Sequence, residues 1–240
     1  MQIPPTRGRA LASTEPAAAG STRPDLVRVW DLPIRVFHWS IVCLVAISWA
    51  SAENGYLRLH LWCGLTMLTL LLFRIAWGMV GSSTARFSNF LRAPWRAIAY
   101  LRSMVRGERQ VHAGHNPAGG WMVIALLTVL LLQACTGLFA NDGVRFNAPL
   151  AALISSGLSD RITGLHGAIF NVILLLVWMH VVAALYYRLV RGENLIAAMI
   201  SGRKPGVEVP ANAELRFVPL RWALLWLALS AVLVWWIARA

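Results

Sequence analysis

Long apolar stretches alternate with short basic ones along most of this chain. Five are long enough to cross a hydrocarbon layer about 30 Å thick, which takes about 20 residues of helix. They are Val36–Ala52, Tyr56–Val80, Trp121–Ala140, His166–Leu189 and Trp222–Ile237. The first and last are short and predict little tilt. Trp39, Trp49, Trp121 and Trp222 fall near segment ends, where an amphipathic ring is comfortable. The pattern predicts an all-α integral membrane protein, a four-helix transmembrane bundle with a fifth, C-terminal transmembrane helix packed outside it. Residues 1–28, rich in Pro, Ala, Ser and Arg, contain no apolar core of signal length and read as a retained, disordered cytoplasmic tail. Residues 29–205 then form the bundle core, and residues 206–240 a linker and the last helix.

Composition agrees with the spans. The chain is 58% hydrophobic and 13% charged, with a mean hydropathy of +0.60, where a soluble domain carries about 25% charged residues. The formal charge of +12 raises nucleic acid as a partner, but the arginines lie between apolar runs rather than on a polar face. Their placement follows membrane topology instead. Seventeen basic residues fall on the side of the N-terminus, among them Arg35, Arg86, Arg92, Arg96, Arg102, Arg188 and Arg191. Four fall on the other side: Arg58, Arg145, Arg161 and Arg239. This bias predicts a cytoplasmic N-terminus and a periplasmic C-terminus in a bacterial inner membrane.

The candidate chemistry lies in the histidines. His166 and His180 share the fourth span, and fourteen residues at about 100° each fall about 40° short of four turns, so both rings lie on nearly one face. They stand about 21 Å apart along the axis, near the two surfaces of the membrane. Histidine at such depth faces a partner, a cavity or a cofactor. Topology places His38 with His180 near the cytoplasmic surface and His60 with His166 near the outer one. Two pairs facing across a bundle are what two bis-histidine haems require. Gly64, one turn after His60, and Gly167, beside His166, leave room for a flat ring. A lone histidine at a span end is as often an interfacial residue, but four at matched depths favour ligation. Zinc is disfavoured, because two ligands at each depth leave its shell incomplete. His112 and His115 precede the third span in "VHAGHNPAGG" and read as members of a solvated loop.

Arg74 follows His60 by fourteen residues on the same helix. Two readings stay open for it: a side chain reaching to the inner headgroups, or an ion pair with a propionate of the inner haem. Arg35 and Arg58 allow the same roles at the two surfaces. Gln133 and Asn171 read as interhelical hydrogen-bonding groups. Cys43, Cys63 and Cys135 fall singly in three spans without a C-x-x-C-H motif, which argues against covalent haem and predicts buried, unreactive thiols. "NFLRAPWRAIAYLRSMVRG" places Ile98, Leu101 and Val105 on one arc and several arginines on another, the pattern of a helix lying on an anionic membrane surface.

Four segments together are specific. "RVWDLPIRVFHW" (28–39), "LHLWCGLTMLTLLLFRIAWG" (59–78), "HNPAGGWMVIALLTVLLLQACTGLF" (115–139) and "GLHGAIFNVILLLVWMH" (164–180) resemble, in order and spacing, the bacterial cytochrome b561 family. Within it they are similar to the branch of b-type cytochrome subunits of nickel–iron hydrogenases. The resemblance covers about residues 28 to 205. It implies a four-helix core with two b haems ligated by His38, His60, His166 and His180, exchanging electrons with quinone and a partner. The expected function is therefore electron transfer between the quinone pool and a periplasmic redox protein: a c-type cytochrome, a hydrogenase or a dehydrogenase. The chain reads as an electron-transfer component rather than a stand-alone enzyme, in contact with lipid and compatible with a homodimer. The rivals are a haem-free anchor, a proton- or solute-translocating subunit, and a superoxide or ferric reductase working from the outer haem. A translocating protein would want acidic residues within the spans, and the carboxylates read as confined to loops and tails.

Overall fold

A computed structural model describes residues 26–239, so the tail expected over residues 1–28 lies almost wholly outside the described residues. Its last three residues are ordered: Leu26–Arg28 forms strand β1. The helices that follow are α1 (Leu32–Glu53), α2 (Leu57–Val80), α3 (Phe87–Phe90), α4 (Pro94–Val105), α5 (Pro117–Gly137) and α6 (Ser156–Tyr186), which one π turn, Tyr187–Arg191, prolongs. Helix α7 (Leu195–Ser201) leads into β2 (Arg203–Pro205), and α8 (Leu220–Ile237) ends the chain. β2 pairs antiparallel with β1, Val27 opposite Lys204. Five helices, α1, α2, α5, α6 with its π turn and α8, are long and apolar enough to cross a membrane.

α1, α5 and α6 begin at least a turn before their apolar runs, and each has a local cause. α1 starts at Leu32 because Asp31 caps it, its Oδ1 accepting from Ile34 N at 2.9 Å, with Pro33 in the first turn. α5 starts at Pro117, where Asn116 Oδ1 accepts from Gly119 N at 2.8 Å. α6 starts at Ser156 rather than His166, because the hydroxyls of its polar first turns find carbonyl acceptors within the helix and just past the end of α5. Thr163 Oγ1 donates to Ser159 O, and Ser159 Oγ donates to Phe139 O. The outer connection, which the apolar runs ending at Ala140 and starting at His166 leave as residues 141–165, is thus confined to 138–155. Glu53 and Asp160, expected in loops, lie in helical end turns.

α2 runs through the middle. It packs on α1, α5 and α8, and it is the most buried of the five spans. Leu71 and Trp77 are sealed from solvent, Leu71 in a cluster with Ile41, Met67, Leu127, Leu130 and Ile173. α8 lies along α2 through Val234 against Leu68 and Ala223 near Phe73 and Trp77. α6 packs along α5 and stands off from α1 and α2, which leaves a gap between α6 and those two helices.

The ends differ in charge. One end, with the start of α1 and the end of α2, also carries the arginine-rich segment. There α4 turns Ala97, Tyr100 and Ser103 inward and leaves Trp95, Ile98, Leu101 and Val105 exposed. The thiols differ from expectation: Cys63 is buried, but Cys43 and Cys135 face outward from their helices, and all three are free.

Candidate functional site

The gap beside α6 is bridged by histidines. At the arginine-rich end His38 of α1 meets His180 of α6, ring centres 6.2 Å apart. At the opposite end His60 of α2 meets His166 of α6, ring centres 5.9 Å apart. A metal ion held by two imidazole nitrogens at about 2 Å each, with about 1.1 Å from nitrogen to ring centre, sets the centres about 6 Å apart. Both separations therefore suit one ion between each pair. Among the described residues no group of three or more His, Cys, Asp or Glu gathers to hold a bare metal ion. An ion that brings its own equatorial ligands, as iron in a porphyrin does, needs only the two.

The hydrogen bonds of the second pair orient the rings. His60 Nδ1 donates to Ser48 O at 2.8 Å, with Ser48 Oγ at 3.0 Å. His166 Nδ1 donates to Gln133 O at 3.0 Å, with Thr136 Oγ1 at 3.1 Å. A carbonyl only accepts, so each Nδ1 carries the proton and each Nε2 presents a lone pair. Metal-ligating imidazoles are held this way, and the carbonyl raises their basicity. His166 Nε2 accepts from the Gln133 amide nitrogen at 3.0 Å, while Gln133 Oε1 is buried without a partner. The Gln133 amide thus occupies the His166 lone pair that a metal ion would take, so ligation there requires Gln133 to turn aside.

Around this pair lies a cavity of about 470 Å³, lined by Gly64, Gly167, Trp49, Phe170 and Leu130 together with His60 and His166. A Cβ at Gly64 or Gly167 would meet nothing within 4 Å, so both glycines widen the cavity. Gly137 acts differently. A Cβ there would stand 3.0 Å from Cε1 of His166, so only glycine lets that ring lie against α5.

At the first pair the polar groups are buried but not paired. Arg74 is 3% exposed, its guanidinium lies over Phe87 at 4.9 Å, and its Nη1 has no hydrogen-bond partner. Asp31 acts on it electrostatically. That carboxylate is engaged elsewhere, however, with Oδ2 accepting from Trp77 Nε1 at 2.9 Å. Among the described residues the one ion pair within 4 Å is the exposed Arg216–Glu214. Arg74 is therefore a buried cation without a contacting anion.

His112 and His115, expected in a solvated loop, are half-buried instead. His115 packs between Trp30 and Phe90, each ring centre 4.8 Å away. Burial, then the charge of Arg74, hold its pKa down to about 3, with weaker contributions from His180, Lys204 and His38. Its Nδ1 is buried and unpartnered. The sequence carried no local signal for this, since Trp30 and Phe90 come from distant segments. Arg35 is turned away: its guanidinium donates to Ile200 O at the end of α7. Arg58 is exposed at the opposite end and does not line the cavity.

Paired imidazoles at iron-bridging separation, a glycine-widened cavity and a buried cation awaiting a carboxylate fit a porphyrin with propionate arms. The comparison with known families points the same way. The family model for prokaryotic cytochrome b561 matches residues 29–202, a span that takes in both histidine pairs and Arg74 and leaves out α8. No curated protein matches the chain. With well over half of its length matched, the chain belongs to the prokaryotic cytochrome b561 family and is a multi-pass, b-type membrane cytochrome of electron transfer.

Proposed function

We propose that this chain is a di-haem cytochrome of the bacterial inner membrane. It passes electrons between the quinone pool and a periplasmic redox protein such as a c-type cytochrome, a hydrogenase or a dehydrogenase. One observation carries the reading: α6 presents two histidines about 21 Å apart, each facing a histidine of another helix across 6.2 and 5.9 Å. His38 and His180 hold one b haem near the cytoplasmic surface, and His60 and His166 hold the other near the periplasmic one. α1, α2, α5 and α6 enclose both, with α8 outside.

Bound haem supplies a one-electron iron couple. The chain supplies position and insulation. The carbonyls of Ser48 and Gln133 fix two ligand tautomers, Gly64 and Gly167 give the outer ring space, and Arg74 meets a propionate of the inner haem. Arg35 and Arg58 take no part in holding the haems: Arg35 is bonded to the end of α7 and Arg58 lies exposed at the opposite surface. The arginine bias supports a cytoplasmic N-terminus. The connections at the periplasmic end are short, residues 54–56 and 138–155, so the catalytic site of any linked reaction belongs to a partner.

Stopped-flow mixing of the purified protein with a short-chain quinol, and separately with a reduced soluble c-type cytochrome, tests the exchange. Haem reduction by both is expected. Failure of the quinol, at a driving force that should reduce the haems, would remove quinone from the function.

A further inference from the structure

Arg74 and His115 come from different parts of the chain and lie within electrostatic reach of one another beside the first histidine pair. Arg74 belongs to α2, and His115 to the loop before α5. Aromatic rings join them. The guanidinium lies over Phe87, Phe87 packs edge-on against Phe90 at 5.8 Å, and Phe90 packs against His115. His38 and His180 lie within electrostatic reach of His115, as does Arg74. Each of the two side chains has a buried nitrogen without a partner, Nη1 of Arg74 and Nδ1 of His115. Buried polar atoms are nearly always satisfied, so the orphaned guanidinium nitrogen indicates a missing acceptor, and Nδ1 of His115 shares that need in the tautomer that protonates it. The cation adds that the acceptor is an anion.

We infer that His115 and Arg74 form a two-armed carboxylate pocket, in which Nδ1–H of a neutral His115 and Nη1–H of Arg74 donate to one propionate of the haem on His38 and His180. The inference rests on the di-haem reading and adds His115 to it as a positioning residue for the cofactor. Asp31 does not compete, since Ile34 N and Trp77 Nε1 already engage its oxygens. Trp30 and Phe90 hold the imidazole from both sides and shield the pocket from water.

A propionate stripped of one donor carries more unneutralised negative charge, which favours ferric over ferrous iron. Redox titration of the full-length holoprotein tests this, with the two haems distinguished by His38→Ala and His60→Ala. In His115→Phe, which keeps the ring between Trp30 and Phe90, the reduction equilibrium of the inner haem should fall about tenfold, about 59 mV for one electron. The outer haem should not move. His115→Asn, which retains a donor, should recover most of the loss; if the Phe variant does not fold, His115→Leu, which also lacks a donor, takes its place and the same fall is expected. Reconstitution with haem dimethyl ester, which lacks the carboxylate charge, should abolish the difference between wild type and His115→Phe. An unchanged inner haem, or a shift that persists with the ester, overturns the carboxylate pocket while leaving the di-haem reading intact. A wild-type protein with no haem on the His38–His180 pair overturns both.

Discussion

His60 and His166 each commit Nδ1 to a main-chain carbonyl, whereas Nδ1 of His38 is buried without a partner. The two histidine pairs therefore differ at the level of single hydrogen bonds, and so would the two haem sites of the proposed function. His115 gives this scale its pH dependence. Its pKa lies near about 3 in the folded chain, against about 6.5 when unfolded. Between those values the unfolded chain binds a proton that the folded one does not, so stability rises with pH through the window and is lost as pH falls from about 6.5 toward about 3. His112 shifts in the same direction, chiefly through burial. Thermal unfolding of the haem-free, detergent-solubilised protein across this range should show a midpoint that falls with acidification, by the equivalent of about 5 kcal/mol at full titration. In His115→Phe the slope should be visibly flatter; an identical slope would show that the ring is not the group responsible. The facing of His38 with His180 and of His60 with His166 was legible in the sequence, because helical period and topology give each a depth. Their hydrogen-bond partners were not, because the carbonyls of Ser48 and Gln133 have no side-chain signature. His115 was misplaced in a solvated loop for a related reason: nothing near it in sequence announces Trp30 and Phe90.

At the scale of elements, hydrophobic runs located all five membrane helices but not their starts. α1, α5 and α6 each begin in polar sequence, where a cap satisfies the first turn or its hydroxyls find carbonyl acceptors. Asp31 shows how much one such residue carries. It caps α1, bonds Trp77 across to α2 and is the nearest charge partner that acts on Arg74. Asp31→Ala removes a cap, worth about 0.5–2 kcal/mol, and strands the buried indole N–H of Trp77, at about 1–3 kcal/mol more. A loss of about 2–4 kcal/mol is expected, read as a lower denaturation midpoint and looser haem retention at the His38–His180 site. A midpoint within error of wild type would mean that α1 is fixed by its lipid-facing length alone. α4 was legible in another way. Its apolar arc, Ile98, Leu101 and Val105, is exposed while the small and polar face packs inward, the arrangement of a helix lying in a membrane interface.

For the whole molecule, the arrangement of α6 matters most. It packs on α5, stands off from α1 and α2, and reaches them through four imidazoles at two depths. The arginine distribution was readable because charge bias is a property of the whole chain, and it gives the bundle its orientation in the proposed function. The place of α8 was only half legible. Its apolar run marked it as a span, but its seat along α2 depends on small contacts such as Ala223 and Val234 that no pattern encodes. The β1–β2 pairing, which ties the end of the tail to the segment after α7, left no recognisable mark in the sequence.

The most direct test of the central claim is a dithionite-reduced minus oxidised spectrum of the purified full-length protein with pyridine haemochrome quantification, repeated for His38→Ala and His60→Ala. Two b haems per chain in the wild type are expected, and one in each variant. The remaining haem should differ between variants in its spectrum and potential. A single haem that either substitution removes, or no haem at all, would contradict the two-site account.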